Sequence, residues 1–265
     1  FWNCTFEYNK NPEIMLCDRT CEFNFTNTTI SHNMGSFLTT SIRSVVSFNE
    51  SLIIHNYSGD RPLFYLPGSD FSIFHPCLFI ENHGLAIIDT TGLSSKINIK
   101  NGVFKRNKAL TYIIGLDDNS KVEINDSRFN GNMATQGTIF SKRSTLIISN
   151  SSFIKNRDSA VRFNRGKAYI SNSNFYYNNG DDKSSTITLH TAYLSISNSE
   201  FNGLSQNGHI YATGKYKLRL YNLIFSGAKK YSLNSSIRAS CIFCKYNTLK
   251  THHKTNSHAI YFYLI

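Results

Sequence analysis

Between Lys96 and Gly227 one short pattern returns six times, in KINIKNGVFKRN, KVEINDSRFNGN, TLIISNSSFIKN, KAYISNSNFYYN, YLSISNSEFNGL and KLRLYNLIFSGA. A phenylalanine anchors each copy: Phe104, Phe129, Phe153, Phe175, Phe201 and Phe225, spaced 25, 24, 22, 26 and 24 residues apart. A repeat of this length cannot bury its own inner face. Strand-like units at such a period must therefore stack on one another as a solenoid.

Seven residues before each anchor stand Ile97, Val122, Leu146, Ala168, Leu194 and Leu218, and five before it stand Ile99, Ile124, Ile148, Ile170, Ile196 and Leu220. Two columns separated by one residue share a strand face, so Asn98, Glu123, Ser195 and Arg219 point outward. Three before the anchor comes Asn101, Asp126, Asn150, Asn172, Asn198 or Asn222, followed by a small residue in most copies. Asparagine tolerates left-handed backbone, which suits a sharp corner, and stacked asparagines can bond along the stack. This column is the expected ladder, with Asn150 and Asn172 as adjacent rungs. A second polar column follows the anchor at Asn107, Asn132, Asn156 and Asn178, then lapses at Leu204 and Ala228. A further strand completes each coil, as in LAIID, YIIGL and HIYAT. The reading is an all-β, single-stranded parallel β-helix with coils of about 24 residues and the anchor phenylalanines stacked inside.

The pattern Asn-Ser-x-Phe-x-x-Asn, clearest at Phe129–Asn132, Phe153–Asn156 and Phe175–Asn178, resembles the repeats of polymorphic outer membrane proteins. Their G-G-A-I half survives only as Ser159-Ala160-Val161, Gly208-His209-Ile210 and Ser257-His258-Ala259-Ile260. The resemblance implies a right-handed, pectin-lyase-like β-helix, a secreted or cell-surface location and an adhesin-like role. Such motifs encode architecture and transfer fold better than function.

The whole chain, 1–265, reads as one β-helix domain, a fragment of a longer protein, because Asn3, Phe6 and Asn9 already occupy repeat columns. Residues 71–245 hold the regular coils and 246–265 a loop with a last strand. Residues 11–70 read as irregular coils, with Phe25 a candidate anchor, or as a cap over the sheet edge. No apolar run approaches the roughly 18 residues of a membrane-spanning helix. Of six cysteines, Cys4, Cys77 and Cys241 precede Phe6, Phe79 and Phe243 by two residues, where other coils carry serine. One disulfide among Cys4, Cys17 and Cys21 is compatible with an oxidising compartment. Cys241 and Cys244 with His252, His253 and His258 have a zinc-like order, but Phe243 between the cysteines reads as core, so no metal or other cofactor is expected. Among the N-x-S/T sequons, Asn49, Asn56 and Asn234 are the candidate glycan sites.

The chain carries a net charge of +11. Eight residues before the anchors lie Lys96, Lys121, Thr145, Lys167, Tyr193 and Lys217, and the preceding turns add Lys142, Arg143, Arg165 and His190. Stacked coils turn these into a vertical basic stripe matched to an elongated polyanion such as an acidic glycan. The plainer alternative is a solvated edge whose lysines discourage strand pairing. No basic–aromatic recognition module suggests nucleic acid. The competing function is a polysaccharide hydrolase or uronate lyase. Asp158, Asp181, Asp182 and His209 follow the order of the polygalacturonase motifs they resemble, and inverting hydrolysis needs two carboxylates across a bound sugar. The repeat itself accounts for Asn156 and Gly208-His209, so the non-catalytic scaffold is the preferred reading.

Overall fold

The computed structural model describes residues 1–178, 185–203, 208–214, 218–227, 233–235, 239–247 and 254–255, with side chains described except at 233–235, 239–242, 246–247 and 254–255. The regular structure is strand alone among these residues. Parallel strands stack as a β-solenoid of about nine turns whose coils lie about 24 residues apart. Each coil contributes to three strand stacks. One runs through Lys96–Lys100 and Lys121–Asn125, a second through Gly102–Lys105 and Arg128–Asn130, and a third through His83–Asp89 and Lys108–Leu116.

Register explains the core. Phe79, Phe104, Phe129, Phe153, Phe175, Phe201 and Phe225 pair in succession, so each ring lands on the next. From Phe79 to Phe201 the centroids lie 4.7–5.1 Å apart with planes within 12°. That separation is the strand spacing of about 4.8 Å, imposed by the backbone hydrogen bonds. The aliphatic columns face these rings, and Ile97, Ile99, Val122, Ile124, Leu146 and Ile148 are fully buried.

Residues 11–70 join the same stacks. Glu13–Cys17 pairs with Ser36–Thr40, and Glu22–Thr26 with Val45–Asn49 and then Asp70–Ile73. Their register corrects the placement of Phe25. It pairs with Phe48, Phe48 with Ile73, and Ile73 with Ile99, which is the aliphatic column, while Ile30 and Ile53 hold the anchor position. Aromatic and aliphatic side chains have exchanged columns across the core. All of these positions stay apolar, and cores tolerate hydrophobic exchange of this kind.

At the other end Tyr246, not Phe243, pairs with Phe225, because that coil is shorter. Phe243 stands at a corner with φ 54° and is exposed. Cys241 pairs with Leu220, whereas the buried Cys244 follows the corner. Cys17 and Cys21 form a disulfide, Cys244 is disulfide-bonded, and Cys4 and Cys77 are free thiols. Burial pushes the Cys77 thiol up to about 11. His252, His253 and His258 lie outside the described residues.

Three corners shape each coil, and one rule governs the two that flank the phenylalanine strand. A residue with positive φ turns the chain, and the inward N–H of the next residue is capped by a side chain from the following coil. At the first corner Asn101, Asp126, Asn150, Asn172, Asn198 and Asn222 take φ of 47–58°. The N–H groups of Gly102, Ser127, Ser151 and Ser173 then donate to the hydroxyls of Ser127, Ser151, Ser173 and Ser199 at 3.1–3.2 Å. At the second corner Arg106, Lys155 and Tyr177 carry the positive φ, and Asn107, Asn156 and Asn178 come next.

The ladder belongs to this second column, which corrects its assignment to the first. Asn9, Asn33, Asn56, Asn82, Asn107, Asn132 and Asn156 each donate from Nδ2 to Oδ1 of the next member, ending at Asn178. Asn150 and Asn172, at the turning positions, are exposed and face outward. Among the described residues of the first column, Asn27 to Asn3 and Asn222 to Asn198 bond side chain to side chain. Asn56, expected as a glycan site, is a ladder rung with 1% exposure and cannot present its amide to a transferase. Asn49 is half-buried, and the side chain of Asn234 lies outside the described set.

Candidate functional site

The basic column forms at the start of the first strand in each coil. Lys96 pairs directly with Lys121, Lys121 with Thr145, Thr145 with Lys167, and Lys167 with Tyr193. Alternation buries their neighbours Ile97, Val122, Leu146, Ala168 and Leu194, so these five positions face outward. Followed toward the amino-terminal coils, the same column reads Asp70, Val45 and Glu22. The Lys96 N–H donates to Asp70 Oδ1 at 3.2 Å. The edge is therefore basic only from Lys96 onward. Lys217 lies outside the described residues.

The turn residues add charge unevenly. Lys142 Nζ lies 3.1 Å from Asp117, and Arg143 pairs with Asp118 and reaches Asp117 at 3.7 Å. Lys121 pairs with its strand neighbour Glu123. His190 Nδ1 shares a hydrogen bond with the Thr213 hydroxyl at 2.8 Å. Exposed pairs of this kind contribute about 0–1 kcal/mol, so an incoming anion can exchange with them. Among the described residues Lys96, Arg165 and Lys167 have no carboxylate within ion-pair distance.

Beside Lys167 the surface is concave. Gly166, Lys167, Tyr169, Tyr193 and Arg219 line a depression of about 460 Å³. Tyr169, Ser195 and Arg219 share one outward column over three coils, and Lys167 and Tyr193 share the adjoining one. The small Ser195 thus separates two large side chains. The Tyr169 and Tyr193 ring centroids are 5.7 Å apart with planes inclined by 53°. The Arg219 guanidinium carbon lies 5.8 Å from the Tyr193 centroid, within cation–π range. At the rim Gly166 has φ 101°, and a Cβ there would come within 2.2 Å of the Ser144 carbonyl oxygen. Tyr169 and Arg219 were not among the expected site residues, and Tyr193 appeared only as a gap in the lysine column. Their signal was the outward strand phase combined with residue type.

Of the alternative catalytic set, only Asp158 and His209 lie among the described residues. His209 is 1% exposed, with Nε2 2.8 Å from the Ser226 carbonyl oxygen and its ring about 6 Å from those of Phe201 and Phe225. Burial holds its pKa down at about 4. A neutral imidazole enclosed between phenyl rings cannot reach a substrate. Asp158 is half-buried at a corner with φ 73°, its carboxylate accepting the Ser159 N–H at 2.7 Å. Asp181 and Asp182 lie outside the described residues. No group of three or more metal-binding side chains occurs among the described residues, and no described helix is long and apolar enough to cross a membrane.

No protein-family model matches the chain, and no curated protein matches it. Among solved structures the chain is similar to the crystal structure of PfbA, a surface adhesin of Streptococcus pneumoniae, at 10% identity and a TM-score of 0.22, over 91% of this chain and 81% of that one.

Proposed function

We propose that this chain is a non-catalytic, secreted or surface β-helix scaffold, adhesin-like in role, that binds acidic polysaccharide along the edge beginning at Lys96. The observation that carries this reading is the register that sets Lys96 on Lys121 and places Lys167 two coils further in the same outward column. At about 4.8 Å per coil, these charges repeat along a line that an extended polyanion can follow. The Cys17–Cys21 disulfide supports an oxidising, extracytoplasmic setting. The proposal includes a single domain, a right-handed coil and kinship with polymorphic outer membrane protein repeats or pectin-lyase-like helices. The Asn-Ser-x-Phe-x-x-Asn columns support these parts.

The test is retention on an immobilised acidic polysaccharide in a salt gradient, followed by assay of the polysaccharide for new reducing ends and unsaturated uronides. Elution by salt without product supports the proposal. Product would overturn its non-catalytic part, and passage of the protein unretained would overturn the binding.

A further inference from the structure

We infer that the depression between Tyr169, Tyr193 and Arg219 is a subsite for one uronic-acid residue of a glycan lying along the basic edge, an inference that rests on the polyanion reading above. Charge alone would hold any polyanion, whatever its sugar. The depression supplies what lysines lack. Tyr169 is 39% exposed and offers ring surface to the apolar C–H face of a pyranose. Arg219 supplies a planar donor fork suited to a carboxylate, and the Tyr193 ring beneath it limits the guanidinium's freedom. Lys167 adds a second cation at the rim, and neither it nor Arg219 has a carboxylate within ion-pair distance among the described residues. A volume of about 460 Å³ falls within the ordinary range for small-ligand sites.

The ring geometry favours a sugar over a nucleobase. A flat base stacks between parallel planes, whereas these planes are inclined by 53°. A puckered pyranose can rest one face on Tyr169 and turn its carboxylate toward Arg219. The glycan then continues along the column through Lys167 toward Lys121, two coils away.

The test uses replacements that keep net charge and follow the columns. Tyr169→Ser places the residue found at the paired position Ser195, Tyr193→Thr places the residue of Thr145 in the lysine column, and Arg219→Lys retains the charge without the planar fork. Thermal unfolding of each variant verifies the fold. Trigalacturonate affinity is measured by calorimetry, and retention on polygalacturonate and dextran sulfate columns is measured alongside. Each variant is expected to bind trigalacturonate about tenfold more weakly, with dextran sulfate retention unchanged.

Trigalacturonate binding equal to wild type in folded Tyr169→Ser and Tyr193→Thr variants would overturn the subsite and leave the edge reading standing. So would failure of wild type to bind trigalacturonate while the polygalacturonate column still retains it. Loss of single-stranded oligonucleotide binding in place of sugar binding would reassign the depression to a base and overturn the inference. If no column retains the wild type, the edge and the subsite fall together.

Discussion

Asn132 Nδ2 donates at 2.9 Å both to Asn156 Oδ1 in the following coil and to the Phe104 carbonyl in the preceding one. Asn132 Oδ1 in turn accepts from the backbone N–H and the side chain of Asn107 at 3.0 and 3.1 Å. One buried amide thus serves three coils, at a corner where the Asn107 N–H meets a side-chain oxygen in place of a backbone carbonyl. Within a low-dielectric core such a network is strong when complete and costly when broken.

Asn132→Ala should therefore destabilise the protein by about 3–5 kcal/mol, since the Phe104 carbonyl and the Asn107 N–H lose their partners at roughly 1–3 kcal/mol each. Asn150, at an exposed corner with φ 49°, has a different role. Asn150→Gly should change stability by less than about 0.5 kcal/mol, and Asn150→Ala should cost about 1 kcal/mol through left-handed strain. Chemical denaturation of the three variants checks the contrast. Equal losses at Asn132 and Asn150 would mean that both columns act as turns alone.

Phe153 is fully buried, its ring 4.7 Å from that of Phe129 and 5.1 Å from that of Phe175. Phe153→Ala should cost about 3–5 kcal/mol, because neighbours fixed by strand register cannot collapse into the space. A measured loss below about 1 kcal/mol would show that the column tolerates a gap and that the stacking is incidental to stability.

The anchor column from Phe79 to Phe225 was legible because identical side chains recur in phase, and phase alone determines a parallel register. The column of Phe25 was not legible, for the converse reason. Its coil sets phenylalanine in the aliphatic column and Ile30 at the anchor, so the residue types of the regular coils do not recur in phase there. The two asparagine columns look alike in sequence because both follow a strand and both have turn composition. What separates them is the residue holding positive φ. At Asn101 that is the asparagine itself, whereas at Asn107 it is the preceding Arg106. The lysine column was visible from Lys96 onward, but its acidic continuation through Asp70 and Glu22 appeared only once residues 11–70 were in register. The depression was hidden further, since Tyr169, Tyr193 and Arg219 come from three successive coils and meet only through stacking.

Gly166 offers a test of how tightly successive coils approach. Its φ of 101° disfavours any side chain, and an added Cβ would strike the backbone of Ser144. Gly92 has nearly the same φ, 105°, with nothing within 4 Å of the added atom. Gly92→Ala should thus report conformational strain alone, about 1–2 kcal/mol, while Gly166→Ala should lose about 2–4 kcal/mol because the neighbouring strand must also shift. Thermal or denaturant unfolding of both variants measures the difference. Similar losses would show that the coils yield at this corner.

His209 should make the fold sensitive to acid. Nε2 donates to the Ser226 carbonyl at 2.8 Å, while the buried Nδ1 has no hydrogen-bond partner among the described residues. Protonation would place an uncompensated charge between Phe201 and Phe225, which is why burial lowers the pKa from 6.5 to about 4. Between those values the unfolded chain binds the proton and the folded chain does not, so stability rises with pH there. The His209 contribution is complete above pH 6.5 and is lost as pH falls toward 4. Unfolding free energies at about pH 7.5 and about pH 4.5, compared between wild type and His209→Leu, should differ in their pH dependence by about 2–3 kcal/mol, with the variant less sensitive. Carboxylates elsewhere contribute equally to both proteins and cancel in that comparison. An unchanged pH dependence in His209→Leu would mean that the imidazole titrates in contact with water, and that this part of the core is open to solvent.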